Sequence, residues 1–81
     1  MRPRVTLYTR VGCCLCVDAK AVIEAARRRA AFEYAEVDID SDPELVRLYN
    51  DEIPVITING RKAFKYRIEM NEFLKKLAAS I

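Results

Sequence analysis

Residues 4–16 read RVTLYTRVGCCLC, and the fold turns on the change of period inside this stretch. Val5 and Leu7 alternate with Arg4, Thr6 and Tyr8, a period of two with the β-branched and aromatic content of a strand. Gly12 breaks the alternation. From Cys13 onward Leu15, Ala19, Val22, Ile23, Ala26 and Ala30 recur at three and four residues, one apolar stripe that predicts a helix over 13–30. Lys20–Glu24 and Glu24–Arg28 are spaced to pair on its opposite face. Arg27-Arg28-Arg29 falls at the helix end, where cations suit the negative pole of the helix dipole. No aromatic residue interleaves that run, so no nucleic-acid partner is expected.

Downstream the pattern alternates again over residues 32–39, FEYAEVDI, a second strand. Ser41-Asp42-Pro43-Glu44 predicts a helix start, with Ser41 as cap, Glu44 as its capping-box partner and Pro43 in the first turn. Leu45, Leu48 and Tyr49 give this short helix an apolar side ending near Asn50. Residues 53–58, IPVITI, form a nearly continuous apolar run, as in a strand covered on both faces. Asn59-Gly60 is a strong hairpin signal, because both positions of its turn need positive φ. Residues 61–66 return as a strand, and residues 68–81 predict a last helix with Met70, Phe73, Leu74, Leu77 and Ile81 on one face. The order β-α-β-α-β-β-α gives an α/β architecture: a four-stranded mixed sheet with helices on both faces, the first β-α-β unit crossing over in parallel.

The 81 residues are room for one domain, residues 1–81, and the net charge of +2 is close to balanced. No apolar run approaches the ~18–20 residues of a membrane span, and the N-terminal residues lack the apolar block of a signal peptide. A soluble chain of cytoplasmic location, without a membrane partner and acting as a monomer, is the expectation. Three cysteines within four residues are no framework for a secreted mini-protein, whose bridges join distant segments. The chain holds no histidine, which excludes a Ser-His or Cys-His hydrolase built on it.

Chemistry is concentrated at the first strand–helix junction. Cys13 and Cys16 form a C-x-x-C pair within one helical turn, where a disulfide can close. Unpaired N–H groups and the positive dipole end stabilise a thiolate at a helix N-terminus, where a cysteine pKa falls from ~8.5 into the range ~3.5–7.5. Arg10 adds positive charge nearby. Cys13, at the open end, reads as the attacking thiol, and Cys16, one turn further in, as the resolving one. Three other readings of the pair stand beside this: a structural disulfide, a soft-metal or iron–sulfur site shared between two chains, and inert buried thiols. Zinc wants four ligands and this chain offers three cysteines, so no metal site is expected within one chain. A copper-carrying module also places C-x-x-C between a first strand and a first helix, but its β-α-β-β-α-β order differs. Cys14 reads as a small exposed residue, or as a third thiol able to exchange with its neighbours. Ile53-Pro54-Val55 is the second constellation. Pro54 either opens the strand, as a residue that need not donate to the sheet, or follows a cis peptide bond that turns the backbone of Ile53 and Val55 toward the thiols.

Together, Y-T-R-x-G-C-x-x-C after a first strand and I-P-V before an N-G hairpin resemble the compact glutaredoxin-like family of the thioredoxin superfamily, over essentially the whole chain. The resemblance implies a thioredoxin-like fold, a cis Pro54, Cys13 as nucleophile, Cys16 as resolver and Arg10 near the thiolate. It implies a thiol–disulfide oxidoreductase acting on protein disulfides or glutathione mixed disulfides, with no bound cofactor and glutathione as a candidate reductant. Arg10, Ile53, Pro54 and Val55 are then the substrate-binding positions. A soft-metal or iron–sulfur carrier and a non-catalytic binding module are the alternatives. The chain departs from the family at three places. The usual Cys-Pro-Tyr-Cys centre is Cys13-Cys14-Leu15-Cys16, the Thr before the proline is Ile53, and Lys65-Tyr66-Arg67-Ile68-Glu69 lacks the Gly-Gly turn and Asp that grip glutathione.

Overall fold

A computed structural model describes residues 2–80. Its elements follow the expected order: β1 (Arg4–Thr9), α1 (Cys14–Ala26), β2 (Glu33–Asp38), α2 (Pro43–Tyr49), β3 (Val55–Ile58), β4 (Arg61–Lys65) and α3 (Met70–Ala79). A 3₁₀ turn, Ile39–Ser41, links β2 to α2. The strands form one sheet in the order β2-β1-β3-β4. β1 runs parallel to β2 and antiparallel to β3, and β3 runs antiparallel to β4.

Alternation in β1 separates two faces. Val5 and Leu7 are fully buried and lie opposite Ile58 and Ile56 of β3. With Ala19, Ile23 and Ala26 of α1 and Phe73 and Leu77 of α3 they form the core. Phe73 is its centre, edge-on to Phe32 and Phe64 at 5.6 and 6.2 Å between ring centroids. Each such aromatic pair contributes about 0.5–1.5 kcal/mol beyond its buried area. On the other face Tyr8 stacks at 4.8 Å on Tyr49 of α2. β3 is therefore covered on both sides, and all four of its residues are buried. Asn59 and Gly60 both take positive φ, 53° and 84°, which closes the β3–β4 hairpin as the Asn-Gly pair requires.

Several local expectations are corrected. α1 stops at Ala26 rather than Ala30. The amides of Arg28 and Arg29 bond three residues back, to Ala25 and Ala26, so the last turn tightens. Three successive exposed arginines give that turn no apolar side to bury. Leu15, placed on the buried stripe, is 38% exposed. Lys20 does not pair with Glu24 but crosses to Glu36 of β2 at 3.3 Å. The cap of α2 is Asp42, whose carboxylate accepts the Glu44 amide at 2.9 Å. Ser41, expected in that role, instead donates to the Asp38 carbonyl, and Glu44 pairs with Arg47 rather than closing a capping box. Pro43 at the first helical position moves the cap to the residue just before it. Leu48 stays 51% exposed, because α2 turns Tyr49 toward the sheet instead. α3 starts at Met70, with Glu69 accepting the amides of Asn71 and Glu72. Ile81, assigned to its apolar face, lies outside the described residues. Among those residues no helix is long and apolar enough to cross a membrane.

Candidate active site

The β1–α1 junction holds all three thiols. The Cys13 amide donates to the Arg10 carbonyl at 3.3 Å, which closes a tight turn over Val11 and Gly12. Gly12 makes that turn with φ +85°, a conformation that costs other residues about 1–2 kcal/mol. Cys13 then occupies the N-cap of α1 in an extended conformation, and its sulfur accepts the Cys16 amide at 3.2 Å. The sulfur thus stands where a serine or aspartate oxygen usually caps. One otherwise unpaired N–H and the positive helix end both face it.

The three cysteines differ in access. Cys14 is exposed, Cys13 half-buried and Cys16 buried. Burial and a hydrogen bond with Cys13 push the Cys16 thiol above its ordinary value, against weaker hydrogen bonds from Thr9 and the Arg10 backbone. Burial thus favours the neutral thiol at Cys16. This is the geometry of a dithiol in which one sulfur meets solvent and the other waits behind it.

Of the remaining expected site residues, Arg10 sits at the rim, but its guanidinium is already engaged. Nε reaches both Asp40 oxygens at 3.2 and 3.1 Å, and Nη2 donates to Oδ1 at 3.0 Å. The Ile53–Pro54 bond is cis. Val55 lies opposite Tyr8 in the β1–β3 ladder, so residues 53 and 54 stand at the end of the sheet that carries the β1–α1 turn. The Pro54 and Val55 side chains are fully buried and offer no contact surface. The Pro54 carbonyl accepts the Tyr66 amide at 2.9 Å. Ile53 is different: among the described residues neither its N–H nor its carbonyl has a partner.

A cleft of about 500 Å³ opens beside Cys13 on the β2 side, with Arg10, Cys13, Cys16, Lys20, Glu36 and Asp38 in its walls. Ile53, Pro54 and Val55 are not among its lining residues. The cysteine-bearing turn therefore lies between two features: the cleft toward β2 and the open Ile53 backbone toward β3. Lys20, Glu36, Asp38 and Asp40 carry no site motif in the sequence. The available signal was the parallel β1–β2 crossover, which brings the end of β2 beside the end of β1. Asp38 is indeed the register partner of Thr9. Among the described residues no three cysteine, aspartate or glutamate side chains converge as a metal-holding group.

A β2-β1-β3-β4 sheet, a cysteine pair at the start of α1 and a cis proline heading β3 define a thioredoxin-fold protein. Solved structures share this fold. Protein Ne2328 from Nitrosomonas europaea superimposes with a TM-score of 0.83 at 26% identity, over 95% of this chain and 93% of that one. Protein XcR50 from X. campestris gives a TM-score of 0.76 at 31% identity, over 95% and 99%. Reduced thioredoxin from Schistosoma mansoni shares the fold at 17% identity, with a TM-score of 0.74 over 99% of this chain and 80% of that one. Residues 4–78 match the family described as Glutaredoxin-like domain (DUF836). The chain belongs to this glutaredoxin-like family, and fold and family together support a redox-type function.

Proposed function

We propose that the chain is a dithiol–disulfide oxidoreductase, with the Cys13 sulfur at the N-cap of α1, hydrogen-bonded to the Cys16 amide, as the observation that carries the reading. The Cys13 thiolate attacks one sulfur of a substrate disulfide. A Cys13–substrate disulfide forms, and the other half leaves as a thiolate that takes up a proton. Cys16 then gives up its proton and attacks the Cys13 sulfur. The Cys13–Cys16 bond forms, the second half leaves as a thiol, and two electrons have passed from the dithiol to the substrate. Two equivalents of an external thiol, for which glutathione is a candidate, restore the dithiol: the first opens the Cys13–Cys16 bond to a mixed disulfide on Cys13, and the second releases Cys13 and leaves with the first as a disulfide. The open backbone of Ile53 suits an extended substrate segment, to which it offers one donor and one acceptor. The chain needs no bound cofactor for this chemistry, acts as a single copy and belongs in a reducing compartment such as the cytoplasm. Protein disulfides and glutathione mixed disulfides are its candidate substrates.

The test is turnover of bis(2-hydroxyethyl) disulfide, with dithiothreitol in one series and glutathione in another as reductant. Wild type should turn over and Cys13→Ser should lose all activity above the uncatalysed rate. Wild-type activity in Cys13→Ser would overturn the assignment. Turnover with dithiothreitol but not glutathione would keep the mechanism and remove glutathione as donor.

A further inference from the structure

Carboxylates are unevenly placed along the chain. Residues 33–52 carry eight of its twelve acidic residues and a single cation, Arg47. The fold brings this segment, from Glu36 onward, to the end of the sheet that carries the cysteines, while Glu33 stays at the far end beside Arg4. β2 ends at Asp38 beside Thr9, and the following turn is tied to the β1–α1 junction by the Asp40–Arg10 fork. Glu36, Asp38, Asp40, Asp42 and Glu44 are all exposed there. Arg10 and Lys20, the two cations in the cleft wall, are each already paired with one of these carboxylates, Asp40 and Glu36.

A second, independent observation concerns apolar surface. Five large apolar side chains among the described residues stand out as exposed, and four of them lie at this same end. Val11, at 89%, and Val17, at 68%, flank the cysteines on the β2 side and line the cleft. Leu15 and Tyr66 face a smaller cleft of about 260 Å³ between α1 and the β4–α3 turn. An apolar collar around a reactive thiol is a contact surface for another molecule. The free N–H and carbonyl of Ile53 beside it suit a polypeptide partner.

We infer that the disulfide substrate is a protein segment with apolar residues beside its cysteine and basic residues on the flank that meets residues 36–44. The inference rests on the dithiol reading above and adds the class of partner. The collar supplies area, and the acidic flank fixes orientation and raises the encounter rate of a basic partner.

Three disulfide-linked peptide dimers test it, each with leucine beside the cysteine and flanked by lysine, glutamine or glutamate. A fourth has serine in place of leucine in the glutamine peptide. The reduced protein is mixed with each, and the release of peptide thiol is timed at low and at high salt. The lysine peptide should be reduced about tenfold faster than the glutamate peptide at low salt, and the ratio should fall toward one in about 0.5 M salt. The ratio should also fall in Glu36→Gln/Glu44→Gln, which removes two exposed charges and neither helix cap. Val11→Ser/Val17→Ser should narrow the advantage of the leucine over the serine peptide. Equal rates for the lysine and glutamate peptides, with the glutamine peptide reduced normally, would overturn the inference and leave the dithiol reading intact. No reduction of any peptide would overturn both.

Discussion

One helical turn separates Cys13 and Cys16 in depth, and the proposed cycle gives them different roles on that ground. Cys16 is 4% exposed and its thiol is pushed upward first by burial. In the Cys16→Ser variant the first attack still proceeds but nothing resolves it. A covalent Cys13–substrate adduct should then accumulate and be visible as a mass increase, whereas Cys14→Ser should turn over like wild type. The raised Cys16 value also has a stability consequence. The unfolded chain ionises this thiol near its ordinary 9.0, while the folded chain holds it protonated to higher pH. Its contribution is therefore complete below pH 9 and is lost as pH rises through the folded value. Thermal unfolding of the reduced protein should move down more steeply above pH 9 than that of Cys16→Ser. Tyr34 behaves alike at higher pH. Burial, with Glu36 and Glu24 adding to it and Arg27 opposing, pushes its hydroxyl from 10.0 up to about 12. That hydroxyl is buried without a hydrogen-bond partner among the described residues. Tyr34→Phe removes an unsatisfied donor, and should stabilise the neutral protein by about 1 kcal/mol in denaturant titration. It should also flatten the loss of stability above pH 10.

At the scale of elements, the sequence was clearest where one residue type answers one backbone need. Asn59-Gly60 announced the hairpin because the turn needs positive φ at both places, and Cys13 announced the start of α1 because Gly12 ends the strand period just before it. Caps were less clear where several oxygens compete. Ser41 and Asp42 are both cap-forming residues just ahead of Pro43, and with Pro43 at the first helical position the cap is Asp42. Glu69 gave no capping signal of the favoured short kind, yet its longer side chain accepts two amides of α3. Those two hydrogen bonds, first to Glu72 and then to Asn71, hold its carboxyl below the usual value. A lowered folded value adds stability above the ordinary 4.5 that disappears as pH falls through the folded one. Glu69→Ala should therefore lower the melting temperature at pH 7, and the gap to wild type should close in acid. A gap unchanged down to pH 2 would show that the carboxylate is not what caps α3.

The whole molecule shows which relations a one-dimensional pattern carries. Strand periods, the β-α-β crossover and the continuous apolar run of β3 were enough to assemble the sheet, because burial on one or both faces leaves a direct trace in residue type. The pair Cys13 and Cys16 was legible for the same reason: spacing and helix position lie along the chain. The walls of the cleft were not, since Glu36 and Asp38 come from β2 and meet Lys20 of α1 only once the chain is folded. Arg10 shows the limit most sharply. Its position near the thiols follows from sequence, but its engagement by Asp40 depends on where a turn thirty residues away is folded. Leu15 likewise fits the apolar stripe of α1, and only the folded chain shows it exposed beside the thiols. Under the dithiol–disulfide proposal, two electrons pass through Cys13 and Cys16. Its most direct measurement is one equivalent of reduced protein with excess bis(2-hydroxyethyl) disulfide, quenched in acid and mapped by mass spectrometry. The expected product is a Cys13–Cys16 disulfide, with two mercaptoethanol molecules released per chain. A reduced Cys13–Cys16 pair, with adducts on Cys14 alone, would contradict it.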